Sequence, residues 1–257
     1  MLAPSYPVRE RILLFGPGGS GKTTSHLQIA KLSQATSSPA RFFIGDSDDS
    51  VARMLSAGYP GLTNVSLHPL YDWADYTAFA DLVLDSATAD DWVVIDFIGS
   101  AWQAVQDHFT QEVFHQEIGD YFLQARKLVK DPAKGLGALE GWTDWQVINA
   151  LYRQWVTRLL FKGRYHVLAT CKADQLSDAR KPLEAPADRQ LLLSFGSKPV
   201  GQKELIYQFH TVLVTGRDAR GSYTLNTVKD RERVELRGHT VSNFALEYLK
   251  GVGGWKL

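Results

Sequence analysis

A short apolar run, Ile12-Leu13-Leu14-Phe15, passes directly into Gly16-Pro17-Gly18-Gly19-Ser20-Gly21-Lys22-Thr23-Thr24, and this junction constrains the chain more than any other stretch. A strand that ends in a glycine-rich loop and restarts as a helix aims successive backbone N–H groups at one point, where the helix dipole favours an anion. Gly16, Gly21, Lys22 and Thr23 satisfy G-x-x-x-x-G-K-[ST]. The physical content of that pattern is a backbone cradle for phosphates, an ammonium for the β- and γ-phosphates, and a hydroxyl that ligates Mg²⁺. The plain alternative is a glycine-rich turn before an ordinary helix. The strand-like run upstream, and Leu27 and Ala30 at helical spacing downstream, favour a nucleoside triphosphate site formed by Gly16, Pro17, Gly18, Gly19, Ser20, Gly21, Lys22, Thr23 and Thr24.

Composition narrows the class. A chain of 257 residues with 44% hydrophobic content can bury a full core and is expected to form one α/β domain over residues 1–257. Equal numbers of basic and acidic residues, 28 of each, provide no global field to draw nucleic acid or an anionic membrane, so any such binding must be local. The single cysteine, Cys171, excludes an intrachain disulfide and the usual cysteine-based zinc site. No apolar run reaches about 18 residues, and residues 1–10 lack the apolar core of a signal peptide. A soluble cytoplasmic protein without membrane partners is expected. The histidines, His26 and His166 among them, are scattered without the i, i+4 spacing of a chelate and read as structural.

Residues 41–45 read as a second strand that exits into Asp46, Ser47, Asp48 and Asp49. A helix to about residue 57, a short strand over 64–68 and a helix N-capped by Asp72 follow. Residues 92–96, WVVID, form an unbroken apolar run ending in a carboxylate, the pattern of a central parallel strand buried on both faces. Asp96 is expected exposed at its loop end, where it joins Thr23 as a Mg²⁺ residue, with helix capping as the alternative. Residues 101–130 carry one amphipathic helical pattern, which runs into a helical and loop insertion over about 107–143. Trp145, Ile148, Tyr152, Trp155 and Leu159 follow as one apolar core-facing stripe. Residues 165–170 form another buried strand, from which Cys171-Lys172-Ala173-Asp174 leaves at the end where ligands gather in open α/β sheets. A mobile loop over about 175–203 precedes a β-hairpin of residues 208–214 and 222–228 and a short helix from about residue 242.

The glycine-rich loop, the acidic exit of the second strand, Asp96 and the late run Thr227-Val228-Lys229-Asp230-Arg231 together resemble the RecA-like ATPase core. Within that class the chain looks like the phage-encoded Sak-type single-strand annealing and recombination ATPases. The resemblance implies an α/β fold with a RecA-like P-loop NTPase core, a mainly parallel central sheet flanked by helices, and a late β-hairpin. It also implies ATP and Mg²⁺ as cofactors, a homo-oligomeric ring or filament, single-stranded DNA as partner, and residence in a host cytoplasm. Carried over by residue, Lys22 and Asp96 are catalytic, and Asp48 takes the place where the family usually has a glutamate that polarises water. Asp48 is one methylene shorter, so Asp46 or Asp49 are alternatives. Lys229 and Arg231 match a K-x-R pair that reaches the γ-phosphate of a neighbouring subunit, against the plain reading of a solvated charged hairpin. The loops near 130–141 and 175–203 would face the DNA. Two further functions stay open: a small-molecule P-loop kinase with Arg180 and Arg189 in a lid, and a nucleotide-binding scaffold with little turnover.

Overall fold

The computed structural model describes residues 9–38, 40–128, 143–176, 192–230 and 238–252. Short, fully apolar runs alternate with helical periods through the first two-thirds of the chain, and this alternation folds as parallel strands joined by crossover helices. In chain order these are β1 (Arg11–Gly16), α1 (Lys22–Ala35), β2 (Phe42–Asp46), α2 (Ser50–Gly58), β3 (Val65–Pro69), α3 (Trp73–Ser86) and β4 (Trp92–Asp96). Then come α4 (Ile98–Phe114), α5 (Ile118–Leu128), α6 (Thr143–Val156) and β5 (His166–Gln175). The chain closes with β6 (Ser197–Pro199), β7 (Thr211–Arg217), β8 (Tyr223–Lys229), β9 (His239–Thr240) and a π-helical segment, Phe244–Val252. The sheet runs β3-β2-β4-β5-β1-β7-β8-β9, with β6 added antiparallel to the far end of β5. From β3 to β7 every pairing is parallel, and β8 and β9 then turn antiparallel. The result is an α/β fold with a mixed, mostly parallel sheet flanked by helices, a layering compatible with a Rossmann-like core.

Strand alternation sorts each side chain to one of two cores. Leu13, Phe15, Val93, Ile95, Val167 and Ala169 pack with α3, α4 and α6, whose Tyr76, Val105, Tyr152 and Trp155 are buried. Ile12, Leu14, Trp92, Val94 and Leu168 face the other way, against Leu27 and Ile29 of α1, Val51 of α2 and Phe244 and Tyr248 of the π-helical segment. The apolar stripe expected of α6 is core: Trp155 meets Tyr76 edge-on at 5.4 Å and donates its indole N–H to the Tyr76 carbonyl at 2.8 Å. Trp145 is half-buried and stacks on Trp102. Asp72 caps α3 as its sequence implies, accepting the Asp75 N–H at 2.9 Å while Asp75 reaches back to the Asp72 N–H.

Three expectations change. The helical pattern of 101–130 is two helices, because His115 adopts φ +54° and closes α4: its N–H bonds Gln111 O, and that of Gln116 bonds Thr110 O. The apolar period continues into α5, where Tyr121 stacks on Phe114, so spacing alone did not reveal the break. The stretch 175–203 is not one loop in its described part, because Ser197, Lys198 and Pro199 pair with Gln175, Asp174 and Ala173; residues 177–191 lie outside the described residues. The hairpin begins later than expected, since Leu205–Gln208 forms a 3₁₀ turn before β7.

Just before β4, at the end of the strands opposite the glycine-rich loop, the buried Asp91 accepts the Arg41 backbone N–H at 2.8 Å, the Arg41 guanidinium at 2.7 Å and the Thr88 N–H at 2.7 Å. Burial pushes its carboxyl up, but the Arg41 and Thr88 donors more than offset this and hold it below the ordinary value of 3.8. Its ionised form therefore stabilises the fold fully above 3.8, and that contribution is lost as pH falls below it. Asp91→Ala, which strands these donors, is expected to cost about 2–4 kcal/mol, measured by urea denaturation at pH 7, with the difference from wild type shrinking at pH 3.

Candidate functional site

The glycine-rich loop lies at the C-terminal end of β1, near the middle of the parallel sheet, where strand ends and helix N-termini converge. Gly21 precedes α1 with φ +87°, no side chain caps the helix, and its first turn carries no acid. An uncapped, positively polarised N-terminus of this kind accepts an anion. Pro17, Gly18 and Gly19 are exposed at the loop tip, while Ser20 and Lys22 are buried. The Lys22 amine folds back to donate to the carbonyls of Gly16 at 3.0 Å and Pro17 at 2.8 Å. Burial lowers its pKa, opposed mainly by the charge of Asp96.

Asp96 continues the phase of Trp92 and Val94 on β4, so alternation turns its side chain toward α1. It is fully buried rather than exposed, which corrects the sequence reading. On α1, Thr23 and His26 stand three residues apart and so share a side. The Thr23 hydroxyl donates to Asp96 Oδ2 at 2.8 Å, and His26 Nε2 lies 3.2 Å from the same oxygen. Thr170, on the same face of β5, donates to Oδ1. Burial would raise the Asp96 pKa, but these three donors outweigh it and hold the carboxyl below its usual range. Among the described residues no cluster of three or more His, Cys, Asp or Glu could hold a metal by itself. Thr23 and Asp96 fit a hard cation such as Mg²⁺, which takes few protein ligands and completes its shell with water and phosphate oxygens.

A second cation stands at this edge. In register Lys172 of β5 is opposite Gly16, and its amine lies 5.0 Å from the centroid of the Phe97 ring, with that of Lys22 at 5.5 Å from the same ring. Lys172 further lowers the Lys22 pKa by like-charge repulsion. Two ammonium groups converging beside an uncapped helix suit a ligand of several negative charges. The β7–β8 hairpin braces the loop from outside: Arg217 donates to Gly19 O at 2.9 Å, Thr215 and Ser20 share a hydroxyl hydrogen bond at 2.7 Å, and the Tyr223 ring lies against Gly21.

The structure thus gathers Gly16 to Thr24, Lys22, Thr23 and Asp96 into one place, sets Asp46 in register beside Asp96 and Asp48 near enough for its charge to act on Lys22, and leaves Lys229 apart. Asp48 is exposed and accepts the Ser50 N–H at 3.2 Å. Asp46 is buried and holds the N–H groups of Val51 and Ala52, while Asp49 accepts the Tyr71 hydroxyl at 2.6 Å. Lys229 ends β8 level with Val212, at the opposite edge of the sheet from the loop, and donates to the carbonyls of Ile206 and Phe209. Arg231 lies outside the described residues. His26 and Thr170 are the residues that sequence reading passed over. Their signals were the i+3 offset of His26 from Thr23 and the shared strand phase of Thr170 and Lys172. Compared with known families and curated proteins, the chain matches no family model and no curated sequence.

A Cβ at Gly16 would fall 2.3 Å from the Thr215 carbonyl oxygen and 2.8 Å from Ser20 Oγ. Gly16→Ala is therefore expected to force the loop away from β7 and cost about 1–3 kcal/mol, read as a thermal midpoint lowered by about 2–10 °C. Gly18→Ala, where an added Cβ meets nothing within 4 Å, is expected to melt with wild type.

Proposed function

We propose that the chain is a Mg²⁺-dependent ATPase with a RecA-like P-loop core, which assembles as a homo-oligomer and couples its ATP state to single-stranded DNA in phage recombination or replication. The observation that carries this reading is the 2.8 Å hydrogen bond from Thr23 to Asp96. It joins the first turn after the glycine-rich loop to the end of a strand two positions away in the sheet, as a Walker A hydroxyl and a Walker B carboxylate around one Mg²⁺ require. When bound, that ion would neutralise β- and γ-phosphate oxygens. The chain's own groups do the remaining work. The N–H groups at the start of α1 cradle the phosphates, and Lys22 exchanges its two carbonyl partners for phosphate oxygens. Lys172 adds positive charge on the same side. A small hollow beside Thr24 is lined by Gln28, Tyr223, Thr224 and Phe244, so a nucleoside would rest over its mouth against these side chains rather than enter it.

Lys229 lies at the far edge from its own loop, so any contact it makes with a phosphate belongs to a neighbouring subunit's site, as the K-x-R pair with Arg231 requires. DNA would meet the region of β6 and the segment that follows, where Lys198 and Lys203 lie. A second reading, a nucleotide-binding scaffold with little turnover, is favoured by one observation: the Asp48 carboxylate is engaged with the Ser50 N–H at the start of α2.

ATP hydrolysis measured with and without single-stranded DNA, at several protein concentrations, tests the proposal. Turnover per subunit is expected to rise with both, and Lys22→Ala and Asp96→Ala are each expected to lower it by about 10²- to 10³-fold. Wild-type activity in both variants would end the ATPase reading. Nucleotide binding without turnover would establish the scaffold, and flat responses to DNA and concentration would remove partner and assembly. Lys172→Ala is expected to weaken ATP more than ADP by about 10- to 100-fold, the worth of a charge-assisted hydrogen bond, in equilibrium titrations with each nucleotide.

A further inference from the structure

Asp96 is fully buried, and an ionised carboxylate removed from water needs donors at both oxygens before any cation arrives. Thr170 serves Oδ1 from β5, and Thr23 and His26 serve Oδ2 from α1. Of these, the Thr23 hydroxyl is the group that must also turn an oxygen lone pair toward Mg²⁺. His26 has no such second duty. It is 0% exposed and sits among Leu27, Ile29 and Ala30 of its own helix, a setting that apolar side chains fill at lower cost. Its Nδ1 has no hydrogen-bond partner among the described residues, so its one polar engagement there is with Asp96. A carboxylate only accepts, so Nε2 carries a proton.

We propose that His26 is a positioning residue for the metal: its Nε2–H fixes the rotation of the Asp96 carboxylate, keeping one lone pair aimed at the Mg²⁺ water shell while Thr23 shifts to bind the ion. This rests on the nucleotide reading above and adds to it a residue outside the glycine-rich motif. Groups that orient a metal's carboxylate without touching the metal change its affinity by about 10- to 100-fold when removed. A histidine kept only for packing changes stability and leaves metal affinity alone.

The test uses Mn²⁺ as the probe, titrated into the protein–ADP complex and followed by the paramagnetic resonance signal of free Mn²⁺. His26→Leu is expected to weaken Mn²⁺ about 10- to 100-fold, with ADP affinity in EDTA changed by less than about twofold. His26→Gln, whose terminal amide can still donate, is expected to recover most of the Mn²⁺ affinity. A cooperatively folded His26→Leu that binds Mn²⁺ like wild type overturns the proposal, as does a His26→Gln no better than His26→Leu. If the Leu variant does not fold, long-range ¹H–¹⁵N correlation spectra of the wild-type imidazole decide. A proton on Nε2 in the Mg²⁺–ADP complex supports the positioning role, and a proton on Nδ1 alone overturns it. A wild-type protein that binds neither ADP nor Mn²⁺ overturns the nucleotide reading and this proposal together, whereas normal wild-type binding with an indifferent His26→Leu removes this proposal alone.

Discussion

A carboxylate without solvent at the end of a central strand is the constraint on which the functional end of this fold depends. Asp96 cannot stay ionised there unless hydrogen-bond donors arrive from other elements. They come from α1, through Thr23 and His26, and from β5, through Thr170. Three elements distant in sequence are thereby fixed to one point. The same point lies beside the Lys22 amine and the uncapped start of α1, so one set of contacts meets a demand of folding and draws the candidate site residues together.

The electrostatics of this edge are unbalanced in a specific way. Burial lowers the Lys22 pKa, and its amine faces the Phe97 ring together with that of Lys172. The carbonyls of Gly16 and Pro17 accept two of the three ammonium hydrogens of Lys22, and the charge of Asp96 offsets part of the cost of its burial. A polyanion would relieve both the desolvation of Lys22 and its repulsion by Lys172. Asp46, in register beside Asp96, is engaged by the backbone N–H groups of Val51 and Ala52, so this carboxylate also serves to start α2.

Much of this was legible in the residues. WVVID at 92–96 folds as the buried parallel strand its apolar run implies, Asp72 with Asp75 closes a capping box, and the Trp155 stripe is core. What one-dimensional spacing could not convey was which elements meet. The period that joins α4 to α5 persists through the φ +54° turn at His115, because apolar spacing reports a buried face and not the direction of the axis. Asp96 read as exposed, since strand-end carboxylates usually face water, and only the placement of α1 over β4 removes it. His26 lacked any second histidine at chelate spacing. Its partner is a carboxylate 70 residues away, a proximity fixed by strand order in the sheet.

The brace between hairpin and loop has a mechanical consequence. Arg217 holds the Gly19 carbonyl, Thr215 holds Ser20, and Tyr223 presses on Gly21, so three successive contacts tie the loop to the antiparallel margin of the sheet. Beyond those anchors the hairpin continues to an exposed tip at Asp218, Ala219 and Arg220. The shape of the glycine-rich loop and the seating of the hairpin are therefore not independent: a substitution at Thr215 or Tyr223 alters the packing of the loop as well as that of the sheet margin.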